Sequence, residues 1–326
     1  MKKHRVFVTR MIPQAGLDLL APFCRVEVNP HDKPLGREEL LRLVADKHGV
    51  IGLLTDHIDA EFFNAAKELK GYANYAVGYD NIDLTEASAR KIPVSNTPDV
   101  LTRATAELAW ALLFATARRI VETDRHMRSG NWDGWGPLQF IGADVGGKTL
   151  GIVGPGRIGT AMALMSRGFD MRVVYASSSG RANQVLDDGL GALNLSFDEL
   201  LRESDFISIH CPLNQGTRHL FNARAFELMK PTAFVLNTAR GPVIDEQALV
   251  RALKQGEIAG AGLDVYEFEP KMADGLAALD NVVVLPHIGS ATVRARTDMA
   301  VLAAENLLAM LQGRPPKTCL NPEVLA

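Results

Sequence analysis

The chain has 326 residues, 47% of them hydrophobic and 22% charged, with a formal net charge of −3. That is the balance of a folded globular chain long enough for two domains. A mildly acidic chain without a Lys/Arg block excludes a nucleic-acid binder or an anionic-membrane binder and points to small-molecule chemistry.

The N-terminal MKKHRVFVTR is basic but lacks the apolar core of a signal peptide. No run of about 20 apolar residues occurs, which predicts a cytoplasmic protein with no membrane span. RVFVTR (5–10) reads as a strand, IPQAGLDLLAPF (12–23) as a helix, CRVEVNP as a strand and REELLRLVADK (37–47) as a helix. GVIGLL (49–54) is an apolar run of buried-strand length, AEFFNAAKEL is helical, and GYANYAVG (71–78) is a strand with its tip at Gly78. Strands alternating with helices predict a parallel α/β sheet. After IPVSNTPD (92–99) the spacing changes. LTRATAELAWALLFATARRIVETDRHMRSG reads as one long helix, capped by Asp99 and closed by Gly130. A loop rich in Gly and aromatics follows, then a fresh α/β series from KTLGIVG to VVVLPH (282–287), then a last helix from about Ala291 to Gln312. Hinges near Pro98 and Pro286 predict one domain from 1–98 plus 291–326, interrupted by a second at 99–290. The three cysteines, Cys24, Cys211 and Cys319, form no CxxC pair and no zinc spacing, so ordinary thiols and no metal are expected.

The inserted series opens on a dinucleotide-binding pattern. KTLGIVG supplies a buried strand, Gly154-Pro155-Gly156-Arg157-Ile158-Gly159 a turn, and TAMALMSRGF a helix. Gly154 permits the tight turn, Gly156 removes a side chain where a pyrophosphate approaches, and Gly159 lets helix and strand pack closely. The helix start offers unpaired N–H groups to phosphates. The next strand, MRVVYA, ends at Ser177, where an NAD-specific protein carries an acid for the ribose hydroxyls. Here Ser177, Ser178, Ser179 and Arg181 offer hydroxyl donors and a positive charge, which suits a 2′-phosphate. NADP is therefore the preferred cofactor, with NAD possible.

Three later strands end in polar residues: Thr238-Ala239-Arg240-Gly241, then Glu267 and Glu269 before Pro270, then His287 after Pro286. Ligands of an open parallel sheet bind at the carboxyl ends of its strands, so these groups should line one edge.

With NYAVGYDNID (74–83), NTPDVLTRATAELA (96–109), GPGRIG, NTARG, GLDVYEFEP and PHIGSAT, the chain resembles the D-isomer-specific 2-hydroxyacid dehydrogenases, most closely their glyoxylate/hydroxypyruvate reductase branch. The resemblance implies two doubly wound, Rossmann-like domains with a cleft between them, and a homodimer. It implies catalytic roles for Arg240, Glu269 and His287; Glu269 is selected over Glu267 because the family's carboxylate immediately precedes the Pro. It implies a substrate-carboxylate loop at Ala76, Val77 and Gly78, and a pocket lined by Leu53 and Leu54. Around the nucleotide it implies Thr105, Cys211, Pro212, Thr217, Thr238, Ala239, Asp264, His287 and Gly289, beside the glycine turn and the serine loop. Two departures stand out: Pro155 where the family often has Leu or Phe, and Gln139 where some hydroxypyruvate reductases place a Trp reaching the neighbouring subunit.

The expected reaction reduces a short 2-oxo acid to the D-2-hydroxy acid. Arg240 grips the substrate, His287 donates the proton, and Glu269 favours the imidazolium. Phosphite oxidation keeps the same Arg/Glu/His set and stays open. Formate oxidation, which does without a proton-donating His in this role and typically has Gln as the partner there, is disfavoured by His287, and the chain is too short for the regulatory domain of many phosphoglycerate enzymes. A nucleotide-sensing corepressor is the alternative of a different class.

Overall fold

The computed structural model describes residues 3–178 and 180–325. Contacts divide the chain into two compact units, Met1–Leu101 with Ser290–Ala326, and Thr102–Gly289.

The first unit runs β1 (His4–Val8), α1 (Gln14–Leu20), β2 (Cys24–Val28), α2 (Arg37–Val44), β3 (Gly49–Gly52), α3 (Ala60–Ala65), β4 (Tyr72–Asn74), α4 (Leu84–Ala89) and β5 (Val94–Ser95). Its strands form a parallel sheet in the order β2-β1-β3-β4-β5. The order reverses between β1 and β3, so the crevice for a ligand falls at the carboxyl ends of those strands. All of β3 is buried, as a strand covered by helices on both faces requires.

The second unit runs α5 (Thr102–Ala117), α6 (Ile120–Arg128), β6 (Thr149–Val153), α7 (Arg157–Met165), β7 (Arg172–Ala176), α8 (Gln184–Leu190), β8 (Leu193–Asn194), α9 (Phe197–Glu203), β9 (Phe206–Ile209), α10 (Ala223–Leu228), β10 (Phe234–Asn237), α11 (Glu246–Gln255), β11 (Gly260–Leu263) and β12 (Val282–Val284). The chain then returns to the first unit as α12 (Val293–Leu311). The seven strands are parallel in the order β12-β11-β10-β9-β6-β7-β8, a doubly wound sheet whose order reverses at β6/β9. Helices α8, α9, α10 and α11 begin on side-chain caps at Asn183, Ser196, Asn222 and Asp245. Each cap is worth roughly 0.5–2 kcal/mol. Among the described residues no helix is long and apolar enough to cross a membrane.

Three sequence expectations need correction. The long helix after Pro98 is two helices, broken at Arg119, which lies in the left-handed region at φ 55°. That conformation costs a non-glycine residue about 1–2 kcal/mol. It is offset by two hydrogen bonds from the Arg119 guanidinium to Glu122, at 2.7 and 2.8 Å, and by a contact over the Phe140 ring at 5.5 Å. Asp99 is not the cap: α5 starts at Thr102, and Asp99 has φ 71°. The strand expected to reach Gly78 stops at Asn74, because the carbonyls beyond it are captured by side chains and loop amides instead of a neighbouring strand.

Candidate functional site

In the second unit, β10, β11 and β12 are parallel neighbours. Arg240 follows the first, Glu269 the second and His287 the third. His287 Nδ1 lies 3.0 Å from Glu269 Oε2, and Glu269 Oε1 accepts the Tyr266 N–H at 3.1 Å. Burial alone pushes the Glu269 carboxyl up. The hydrogen bond and charge of His287, the Tyr266 N–H and the Arg240 guanidinium outweigh it and hold the group below the ordinary carboxylate range. An ionised carboxylate only accepts, so Nδ1 carries the hydrogen of this pair and Nε2 is left for a substrate. Glu267, the competing acid, points elsewhere: Oε1 is 2.6 Å from His219 Nε2.

His287 sits in the left-handed region at φ 54°. A bulky residue held there costs about 1–3 kcal/mol and persists only where its surroundings over-determine it. They do. Asp264, 1% exposed, accepts the N–H groups of Ile288 and Gly289, both at 2.7 Å. The Leu285 N–H donates to Leu263 at 2.8 Å, and the Tyr266 hydroxyl donates to the Leu285 carbonyl at 2.7 Å. Burial pushes the Asp264 carboxyl up despite those amides. A Cβ added at Gly289 would lie 3.2 Å from Asp264 Oδ2 and 3.4 Å from Thr105 Cγ2, so these residues converge. On the β10 side, the Ala239 N–H donates to Asn237 Oδ1 at 3.0 Å, and Arg240 Nη1 donates to the Ala239 carbonyl at 2.8 Å.

The glycine turn fits a dinucleotide. Gly154 has φ 89°, which glycine adopts without strain, and a Cβ there would strike Cys211 N at 2.7 Å. A Cβ at Gly159 would strike the Gly154 carbonyl oxygen at 2.5 Å, the close helix–strand approach that the sequence predicts. At Gly156 nothing lies within 4 Å of that position. Gly156 is also the N-cap of α7, with no side-chain hydrogen bond to the helix amides, so the turn is an open cradle of donors. Arg157 is exposed on the first turn of α7, and Ile158 beside it is half-buried against the core. Thr238 Oγ1 is buried without a hydrogen-bond partner among the described residues, a polar atom that a bound nucleotide would satisfy. Cys211 is buried, and that pushes its thiol up to about 11. Thr217 is also buried and ties its own loop, donating to the Pro212 carbonyl at 2.6 Å and accepting from Asn214 N at 2.9 Å.

Beyond β7, Ser177 is half-buried while Ser178 and Arg181 are exposed. Ser179 lies outside the described residues. The Gly180 N–H donates to Ser177 at 2.9 Å, closing a turn. Asn183, which the sequence reading missed, joins this loop to the glycine turn: its Nδ2 donates to the Pro155 carbonyl at 2.9 Å and to Thr160 Oγ1 at 2.8 Å. The signal was its place as the cap of α8. Gln139 is exposed on the segment after α6.

In the first unit, the loop after β4 has its carbonyls turned toward the scaffold. The Ala76 carbonyl accepts the Thr97 N–H at 2.9 Å, Val77 accepts Asn96 Nδ2 at 2.8 Å, and Gly78 accepts Asn74 Nδ2 at 2.8 Å. These three bonds fix the backbone of the loop. Leu53 and Leu54 follow β3, both half-buried. Asp56, 5% exposed, accepts the Leu53 N–H at 2.8 Å and the Thr9 hydroxyl at 2.6 Å. Asn81 Nδ2 donates to the Leu53 and Asp56 carbonyls, at 3.2 and 2.8 Å.

Residues 110–289 match the family model of the D-isomer specific 2-hydroxyacid dehydrogenase NAD binding domain. Over its full length the chain is similar to the glyoxylate reductase of Thermococcus onnurineus, 50% identical across 99% of this chain and 97% of that protein. Among solved structures, a glyoxylate reductase from Paecilomyes thermophila matches with a TM-score of 0.87 and 33% identity, covering 99% of this chain and 100% of that one. The NADPH-dependent glyoxylate/hydroxypyruvate reductase of Sinorhizobium meliloti, in complex with NADP and malonate, matches with a TM-score of 0.85 and 30% identity over 98% of this chain and 97% of that one.

Proposed function

The chain belongs to the D-isomer-specific 2-hydroxyacid dehydrogenases, NAD(P)-dependent oxidoreductases, and on that premise we propose that it reduces glyoxylate to glycolate and hydroxypyruvate to its D-2-hydroxy acid, using NADPH in preference to NADH. The observation that carries the reading is the His287–Glu269 pair, 3.0 Å apart, on the segments after β12 and β11, the two strands that follow β10 in the sheet, with Arg240 just beyond the end of β10.

In this reading Arg240 pairs with the substrate carboxylate and carbonyl oxygen, fixing its orientation and polarising the ketone. His287 delivers a proton from Nε2 to the carbonyl oxygen as negative charge develops there. Glu269 keeps the imidazole oriented through its contact with Nδ1. A positioned general acid is commonly worth about 10²–10⁴ in rate. The Ala76–Val77–Gly78 loop offers peptide N–H groups to the substrate carboxylate, and Leu53 and Leu54 line the pocket. The nicotinamide supplies the hydride. The glycine turn and α7 hold its pyrophosphate; Thr105, Thr238, Asp264 and Gly289 surround its nicotinamide end; Cys211 and Pro212 border its adenosine. Ser177, Ser178 and Arg181, with no acid at the end of β7, support NADPH as the preferred form.

The same reading includes a homodimer. Its support is the exposed apolar stretch after α6, where Trp132 is 50%, Trp135 83%, Leu138 83% and Ile141 62% exposed, large apolar side chains that a partner subunit would cover.

The test is a matrix of purified protein with glyoxylate, hydroxypyruvate, pyruvate and 2-ketogluconate, each with NADPH and NADH, and phosphite with the oxidised nucleotides. We expect the highest kcat/KM with glyoxylate or hydroxypyruvate and NADPH. Turnover of phosphite alone, or of nothing, would overturn the reading.

A further inference from the structure

Glu267 lost the competition for the catalytic carboxylate, yet it is the better buried of the two acids, its side chain 7% exposed against 33% for Glu269. A carboxylate so enclosed needs partners. It has His219 Nε2 at 2.6 Å, the Glu246 N–H at 3.4 Å and the Arg218 guanidinium at 3.8 Å. Glu246, 2% exposed at the start of α11, reciprocates: its carboxylate accepts the Glu267 N–H at 2.6 Å and the Ala273 N–H at 2.8 Å.

His219 also reaches the other acting loop. Its N–H donates to the Pro242 carbonyl at 2.8 Å, in the turn that directly follows Arg240. The segment continues alongside that turn, with the Phe221 N–H bonded to Val243 and the Asp245 N–H bonded to Phe221, both at 3.0 Å. The two loops touch each other as well. A Cβ added at Gly241 would lie 1.8 Å from the Tyr266 carbonyl oxygen and 2.5 Å from Glu267 N, so only glycine lets the Arg240 turn rest on the acid loop. His219 itself is held in the left-handed region, φ 51°, strain that its surroundings must impose.

We propose that His219 and Glu267 are positioning residues: through the backbone of one and the side chains of both, the loop after β9 clamps the Arg240 turn to the Glu269 loop. Neither touches substrate. The clamp keeps the Glu269 carboxylate within hydrogen-bond distance of His287 and in register with Arg240. This rests on the roles assigned under Proposed function. The charged groups around the Glu269–His287 pair are Arg240 from the end of β10, Asp264 from the end of β11, Glu246 from α11, Glu267 on the shared loop, and Arg218 with His219 from the loop after β9.

His219→Ala and Glu267→Ala should each lower kcat about tenfold, since misplacing a reacting group by a fraction of an ångström has effects of that order. The KM for nucleotide should hold, and the pH–rate profile should be displaced as Glu269 loosens from His287. The double variant should be no worse than Glu267→Ala alone. A Gln amide presents a nitrogen where the imidazole presents Nε2, so His219→Gln should recover most of the lost rate, which separates positioning from folding. Titration of the His287 ring nitrogens by NMR, with no substrate present, should show the same displacement in His219→Ala. If wild type reduces no 2-oxo acid, the functional reading falls while that titration still decides the clamp. Unchanged kcat and an unchanged His287 titration in both single variants, or independent effects that multiply in the double variant, would overturn it.

Discussion

The sheet of the second unit carries two kinds of strand end, and they are built on opposite principles. At β6 and β7 the chain offers emptiness: an open position at Gly156, uncapped amides at the start of α7, and exposed Ser178 and Arg181. At β10, β11 and β12 the acting groups are held. Glu269 is bonded on both oxygens, Asp264 fixes the backbone after His287, and His287 is forced into a left-handed conformation. A large anionic cofactor needs room and donors. Proton transfer needs a fixed distance and accepts strain to keep it.

His287→Asn tests the tight end first and should show the largest effect. Asn keeps a polar group at the position but cannot donate a proton as a charged acid. The kcat for glyoxylate reduction should fall about 100-fold or more while the Kd for NADPH stays within about twofold. Near-normal turnover would place the proton donor elsewhere and remove the distinction between the two ends.

The open end should respond in affinity rather than in chemistry. Ser177→Asp sets a carboxylate where a 2′-phosphate would lie and where free ribose hydroxyls could donate, so repulsion and attraction act together. The kcat/KM for NADPH should fall ten- to hundredfold, the equivalent of about 1.5–3 kcal/mol for a charge-assisted contact, and NADH should become the better cofactor. Wild type that uses NADH as well as NADPH would show the serine loop to be uncommitted.

The two ends also differed in how far the sequence disclosed them. Glycine spacing between a strand and a helix is a local signal, and the turn lies where that spacing predicts it. Arg, Glu and His at successive strand ends are legible because parallel strands bring their carboxyl ends to one edge. What was hidden is what holds these groups. His219 reaches Glu267 across 48 positions, and the amides of Asn74 and Asn96 hold the Gly78 and Val77 carbonyls. No periodicity marks such amides. The break at Arg119 was hidden for the same reason: the helical pattern runs through it, and the groups that stabilise the break, Glu122 and Phe140, stand outside any propensity argument.

Glu269→Gln is the finest probe, because it changes a charge and leaves the shape. In wild type, burial raises the Glu269 carboxyl, and His287, the Tyr266 N–H and Arg240 overcome that and lower it. A neutral amide removes the carboxylate and its charge from beside the imidazole, so the acid limb of kcat/KM is where the variant should depart from wild type. A carboxyl held below its ordinary 4.5 contributes its stabilisation above that value and loses it as the pH falls through the lowered one. Gln has no such group to protonate, so any acid limb set by Glu269 should vanish in the variant. A profile that superimposes on wild type at both limbs would detach Glu269 from His287 in solution.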